Sequence, residues 1–360
     1  VYTSADHNLT AQLDYVRLLH KLAQNNIQVF AVLGNHDPLE AWKAKIPFPP
    51  NVHVFPTDAV ERVPLVVDGE EVAAIYGQSY AKSEQRDNLA WKFNRAAGDR
   101  FSIGMLHTQV GSRDSTYAPC TLEDLKECGM DYWALGHIHK HEILCEKPYV
   151  VYAGNPQGLD CTETGPRGCY YVEVGPYGTT DLEFIDTSIV RWESIDLAID
   201  GIESVSELRE SVRFAKEKVR RDIGKPTFLT VNFTGSGSMY HVLNNPEATQ
   251  YWLESWREEE QGKYAFVMVE RLRNLARPKM NMDERSKLPD SVGDYLNVFD
   301  KLEKLAPEER VKALRDILMS RPEFERLGAY GRALTDQRLL ETFEKAKWLG
   351  VQKLLEHRRG

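Results

Sequence analysis

Four apolar runs among the first 160 residues end alike, in a turn crowded with side chains that bind metals or carry protons. "IQVFAVLG" runs into Asn35, His36 and Asp37. "FSIGMLH" stops at His107. "DYWALG" leads into His137-Ile138-His139, and "YVVYAG" leads into Asn155. A buried strand needs only a polar turn to end it. An amide, an imidazole and a carboxylate side by side serve no packing purpose. Before the first run, residues 8–25 place Leu9, Leu13, Val16, Leu19 and Ala23 at helical spacing. The resulting helix-to-strand alternation is that of an α/β fold. In open α/β sheets ligands gather at the C-terminal ends of the strands. The four strand ends therefore predict one shared site.

The residue types say what such a site would do. His137 and His139 stand two apart in an extended segment, so both rings point the same way. A His-x-His pair alone is a weak metal signal, and Asn35-His36 at another strand end strengthens it. A neutral amide oxygen with imidazole nitrogens suits Mn²⁺, Fe²⁺ or Zn²⁺. Two divalent ions about 3.5–4 Å apart clamp the attacking and leaving oxygens of a phosphodiester. A nearby imidazole then protonates the leaving alkoxide. On this reading Asn35 is a ligand and His36 the general acid, while Asp37 shapes the loop or orients an imidazole. Tyr76, Asn155 and Gln157 either line a substrate groove or are turn residues. His7, His20, His53, His141, His241 and His357 read as surface or core residues.

The pattern changes near residue 190. "ESVSELRESVRFAKEKVRRD" is an amphipathic helix with Val205, Leu208, Val212, Ala215 and Val219 on one face, and Ser204 and Glu207 at capping-box spacing. Strand-like runs flank a further helix, so 191–275 reads as a small α+β domain. Residues 276–360 read as a helical tail with an apolar stripe of Leu339, Phe343, Ala346, Leu349 and Leu354. The net charge of −9 argues against tight, nonspecific coating of nucleic acid. Residues 301–360 nevertheless carry 14 Lys and Arg against 10 Asp and Glu, a balance that leaves self-packing, partner docking and DNA contact open. Five scattered cysteines without CxxC spacing predict reduced thiols and a cytosolic protein. No apolar run reaches the roughly 20 residues of a membrane span, and no leader is expected.

"GNHD" (34–37), "LHTQVG" (106–111) and "GHIH" (136–139), in that order, resemble the calcineurin-like metallophosphoesterases. "AGNPQG" (153–158) and "RGCYYVEV" (167–174) narrow the resemblance to the SbcD-type DNA-repair nucleases and especially their YhaO-like branch. The resemblance implies a β-sandwich flanked by helices over 1–190, a capping domain that guides DNA, and a tail that docks on an SMC-like coiled-coil ATPase. It implies Mn²⁺-dependent exo- and endonuclease activity with two metal ions. Asn35, His107 and His137 would hold one ion and His139 the other, with His36 as the acid. Similar nucleases often form homodimers. The family's opening Asp-x-His and Gly-Asp motifs have no counterpart here, and "VYTSADHNL" matches the stretch just after them. The expectation is a chain lacking roughly 40–50 N-terminal residues of the family pattern. Two alternatives stand beside the nuclease: another phosphodiesterase or phosphatase, and a catalytically degenerate scaffold for the ATPase.

Overall fold

The computed structural model describes residues 9–38, 46–112, 114–280, 282–325 and 334–356. His7 and His357 lie outside them. The chain divides into two compact units. One holds residues 1–194, 219–230 and 260–268, and the other 195–218, 231–259 and 269–360.

Helix α1 (Leu9–Gln24) buries Val16 and Leu19 but leaves Leu9 and Leu13 exposed. It leads into β1 (Val29–Ala31), which pairs in parallel with β2 (Val52–Val54). Six further strands form the main sheet: β3 (Glu61–Val67), β4 (Glu70–Gln78), β5 (Ser102–His107), β6 (Tyr132–Gly136), β7 (Glu142–Glu146) and β8 (Tyr149–Tyr152). Their order is β3-β4-β5-β6-β8-β7. The four middle strands run parallel, and β3 and β7 are antiparallel edges. Parallel pairing puts the C-terminal ends of β5, β6 and β8 on one edge. The register matches His107 with Gly136, the residue just before His137.

Both faces of this sheet are covered, which explains why β4 and β6 read as continuous apolar runs rather than alternating ones. One face packs Leu106, Trp133, Val150 and Tyr152 with Leu125 of α2 (Leu122–Glu127). Thr121 and Asp124 close a full capping box at its N-terminus. The opposite face packs Ala73, Phe101, Tyr132 and Val151 against Tyr170, Val172 and Leu182. These last three belong to β9 (Gly168–Val174) and β10 (Thr180–Asp186), an antiparallel pair. The pair forms its own two-stranded sheet layered over the second face.

Beyond residue 190, β11 (Arg191–Ala198), β12 (Thr227–Thr234) and β14 (Val267–Asn274) form a three-stranded sheet, and the short β13 (Ser236–Gly237) pairs with β15 (Arg277–Pro278). Helix α3 (Val205–Ile223) buries Leu208, Val212, Lys216 and Val219. Ser204 Oγ accepts from Glu207 N, but the Glu207 carboxylate takes Glu203 N, one residue earlier than a capping box requires. The helices α4 (Tyr240–Leu243) and α5 (Pro246–Glu258) follow, and then the tail.

The tail contains α6 (Met282–Arg285), α7 (Ser291–Glu303), α8 (Pro307–Met319), α9 (Pro322–Glu325) and α10 (Asp336–Glu356). Phe299, Leu314, Leu339 and Phe343 share one core, and Val292, Leu296 and Val351 another. Most of the α10 stripe therefore packs on its own neighbours, while Leu349 is exposed. No helix among the described residues is long and apolar enough to cross a membrane. All five cysteines are free thiols.

Candidate metal and catalytic site

Hydrogen bonds tie β1 and the loop after it to the residues that follow β2 and β4. Phe55 N donates to Ala31 O (3.0 Å), Tyr80 N to Leu33 O (2.9 Å), and Leu33 N to Ser79 Oγ (3.0 Å). This places Asn35 over the edge where β5 and β6 end. Asn35 Oδ1 lies 2.7 Å from His107 Nε2. Gly34 is needed for that approach, because a Cβ there would stand 2.3 Å from His107 Nδ1. The His107 ring meets His137 edge-on at 5.2 Å, and His137 in turn lies 4.6 Å from Tyr117. Tyr80 also packs edge-on to His107, at 5.3 Å.

Burial pushes the His107 imidazole down to about 3, helped by the neighbouring His137, His36 and His139. Burial first, and then His139 and His36, also lowers His137. Both rings are therefore neutral near pH 7, the form in which an imidazole nitrogen binds a metal. The same mutual influence places His36, His107, His137 and His139 in one locality. His36 itself is exposed, as a group that delivers a proton to a substrate must be. His137 adopts φ of 109°, in the left-handed region that an L-residue rarely enters.

The donor set fits part of a divalent-metal site. Asn35 supplies a neutral oxygen, and His107 and His137 supply imidazole nitrogens. Ligands about 2.1 Å from an octahedral ion stand about 3 Å apart, close to the Asn35–His107 separation. Among the described residues, no group of three or more His, Cys, Asp or Glu side chains forms a metal cage by itself.

Asp37 N donates to Gly34 O (3.2 Å), closing the turn that holds Asn35 and His36. Tyr15 is raised by burial and then by the Asp37 charge, so Asp37 sits near α1. Three groove candidates are placed differently. Tyr76 is buried in the sheet core, and its hydroxyl donates to Asp99 Oδ2 (2.5 Å), so it is not a groove residue. Gln157 is consumed by backbone: its Nε2 donates to Val190 O (2.8 Å), and its Oε1 accepts from Ile189 N (2.9 Å) and Val190 N (3.2 Å). Asn155 lies beside the site, with its Nδ2 donating to Glu163 Oε2 (2.7 Å). Its Oδ1 is buried without a hydrogen-bond partner among the described residues.

Sequence reasoning missed Glu163. Its Oε1 lies 2.5 Å from His139 Nδ1, and its Oε2 also accepts from Leu159 N (2.9 Å). Burial raises its pKa, but the hydrogen bonds from His139, Leu159 and Asn155 outweigh this and hold it below the usual carboxylate value. His141 is a packed residue, its ring stacked on Phe184 at 3.8 Å.

Residues 5–141 match the family model for calcineurin-like phosphoesterases. Residues 192–277 match the middle domain of the metallophosphoesterase YhaO. The uncharacterized metallophosphoesterase YhaO of Bacillus subtilis (strain 168) is 32% identical over 286 residues, covering 78% of this chain and 69% of that protein. The DNA double-strand break repair protein Mre11 of Methanocaldococcus jannaschii is 24% identical over 242 residues, covering 59% and 61% respectively.

Proposed function

The chain belongs to the calcineurin-like metallophosphoesterases of the YhaO type, and from that premise we propose that it is a Mn²⁺-dependent nuclease that hydrolyses phosphodiester bonds in DNA. The observation that carries the reading is the cluster of neutral imidazoles and one amide oxygen on a single sheet edge, with an exposed histidine beside it. The relation to a double-strand break repair protein supports DNA as the substrate.

Asn35, His107 and His137 would hold one divalent ion and His139 a second. Bound ions would supply Lewis acidity at the phosphoryl group. His36 would protonate the leaving oxygen, since its ring is open to solvent and next to the ligands. Tyr117 and Tyr80 wall the imidazoles and limit their ring rotation. We assign the helical tail to docking an SMC-like ATPase. A second reading, a binding role without catalysis, stands beside the nuclease because His139 alone is assigned to the second ion.

Linear duplex DNA, bis-p-nitrophenyl phosphate and p-nitrophenyl phosphate separate these readings when each is assayed with Mn²⁺, Mg²⁺ or EDTA. DNA degradation that needs Mn²⁺ and is lost with EDTA is the expected result. Hydrolysis of the small esters alone would make the chain a phosphatase or small-molecule phosphodiesterase. Hydrolysis of none of the three, with DNA or the ATPase still bound, would leave the binding role.

A further inference from the structure

We propose that Glu163 is the positioning residue for His139: it holds the ring through Nδ1 so that Nε2 faces a divalent ion. The inference rests on the metal-site reading above. It starts from an imbalance in exposure. The His139 side chain is 51% exposed, whereas that of Glu163 is only 13% exposed. An open histidine is seldom worth the ordering of a buried carboxylate, because fixing an exposed side chain costs rotamer entropy.

The hydrogen bonds leave the ring one role. Glu163 receives donors from three places: the His139 ring, the Asn155 amide and the Leu159 backbone. A carboxylate so surrounded only accepts, so His139 Nδ1 carries the proton. Nε2 then keeps its lone pair and is the ligand nitrogen. The backbone of His139 is fixed as well. Its carbonyl accepts from Asn155 N (3.0 Å) and from the buried Arg167 guanidinium, whose second arm reaches Thr164 O (3.2 Å). Gly154, at φ of 78°, lets the strand end press on this segment, since a Cβ there would lie 2.7 Å from His139 O.

The loop bearing Glu163 is itself built. Glu163 N donates to Asp160 O (3.0 Å), Thr162 N to Asp160 Oδ1 (2.7 Å), and Gly165 N to Trp192 O (3.0 Å). Ring nitrogen and carbonyl are thus clamped from separate chain segments, while the far side of the ring stays open.

The test uses the full chain labelled with ¹⁵N-histidine. Long-range ¹H–¹⁵N correlation reads the His139 tautomer, with His139→Gln giving the assignment, and titration with Zn²⁺ reads affinity. The wild type is expected in the Nδ1–H form. Glu163→Leu is expected to move His139 toward the Nε2–H form and to weaken Zn²⁺ binding about 10–100-fold. Glu163→Gln keeps an acceptor without the charge, so it should retain the Nδ1–H form and lose less affinity. If Glu163→Leu unfolds, Glu163→Ala carries the test, and a wild-type tautomer with unchanged Zn²⁺ affinity in it overturns the proposal. Wild-type tautomer and affinity in Glu163→Leu would overturn the positioning role while leaving the metal site standing. Unchanged affinity in His139→Gln would instead overturn the metal reading of His139, and the proposal with it.

Discussion

Replacing Gly34 with alanine tests whether the loop after β1 and the end of β5 form one site. A Cβ at this position would lie 2.3, 2.5 and 2.7 Å from Nδ1, Cε1 and Cγ of His107, where ordinary contact begins at 3.4 Å. The ring has to retreat by about 1 Å, which stretches the 2.7 Å Asn35–His107 contact past hydrogen-bonding range. Overpacking of a tight interior costs about 1–3 kcal/mol, and the lost hydrogen bond about 1 kcal/mol more. Gly34→Ala should therefore destabilise the metal-free chain by about 2–4 kcal/mol and weaken Mn²⁺ binding. Urea unfolding in a double-mutant cycle with His107→Ala isolates the cause. With the ring gone, most of the Gly34→Ala cost should vanish, a coupling of about 2 kcal/mol. An equal cost in both backgrounds would show that the methyl clashes elsewhere, and the placement of Asn35 against His107 would be wrong.

Asp186 gives a pH-dependent prediction. Burial raises its carboxyl, but Ser188, Lys225 and Arg191 outweigh this and hold it at about 2. Its folded pKa lies below the unfolded one, so its contribution is present above about pH 4 and is lost as pH falls toward 2. At about 1.4 kcal/mol per unit, Asp186→Asn should cost about 2 kcal/mol at pH 7, with the difference from wild type shrinking below pH 4 in a urea series. A constant difference across that range would contradict the ion-pair origin. His36→Ala should abolish DNA cleavage while leaving Mn²⁺ content unchanged by elemental analysis, since the ring acts as acid and not as ligand. Phe343→Ala removes a ring that is 5% exposed and stacked on Phe299 at 4.7 Å. It should cost the unit that holds it about 3–5 kcal/mol and leave Mn²⁺ binding intact, as read by unfolding and metal titration.

Much of this was legible in the sequence because parallel strands convert sequence into place. Once β5 and β6 run side by side, His107 and His137 must share an edge, and no long-range information beyond strand direction is needed. Local periodicity was equally readable, as with Leu208, Val212 and Val219 on the buried face of α3. Glu163 was not. It sits in "DCTETGPRG", a turn-rich stretch with no periodicity, and only the folded 160–165 loop carries it to a histidine 24 residues earlier. Tyr76 was misread for a different reason. Its neighbourhood, "VAAIYGQ", belongs to a middle strand covered on both faces, so the tyrosine turns into the core and meets Asp99. Gln157 read as either a groove or a turn residue, and both ends of its amide are spent on the backbone of residues 158 and 189–190.

The backbone of His137 separates what the fold wants from what the site wants. Its φ of 109° follows Gly136 at the end of β6, and a side chain there costs about 1–3 kcal/mol of strain. Strain of this kind persists where a specific side chain is required, and glycine is the residue that backbone alone would select. His137→Gly and His137→Ala both remove the ligand nitrogen, so both should lose metal affinity. Only glycine relieves the strain, against about 0.4–1 kcal/mol of added freedom in the unfolded chain. The glycine variant should therefore be about 1 kcal/mol more stable than the alanine variant in urea unfolding. The packing lost against His107 and Tyr117 is the same in both, so it cancels in the comparison. A glycine variant less stable than the alanine variant would show that this backbone stores no strain. His137 would then be a residue the fold itself chose, and its place in the metal site would rest on proximity alone.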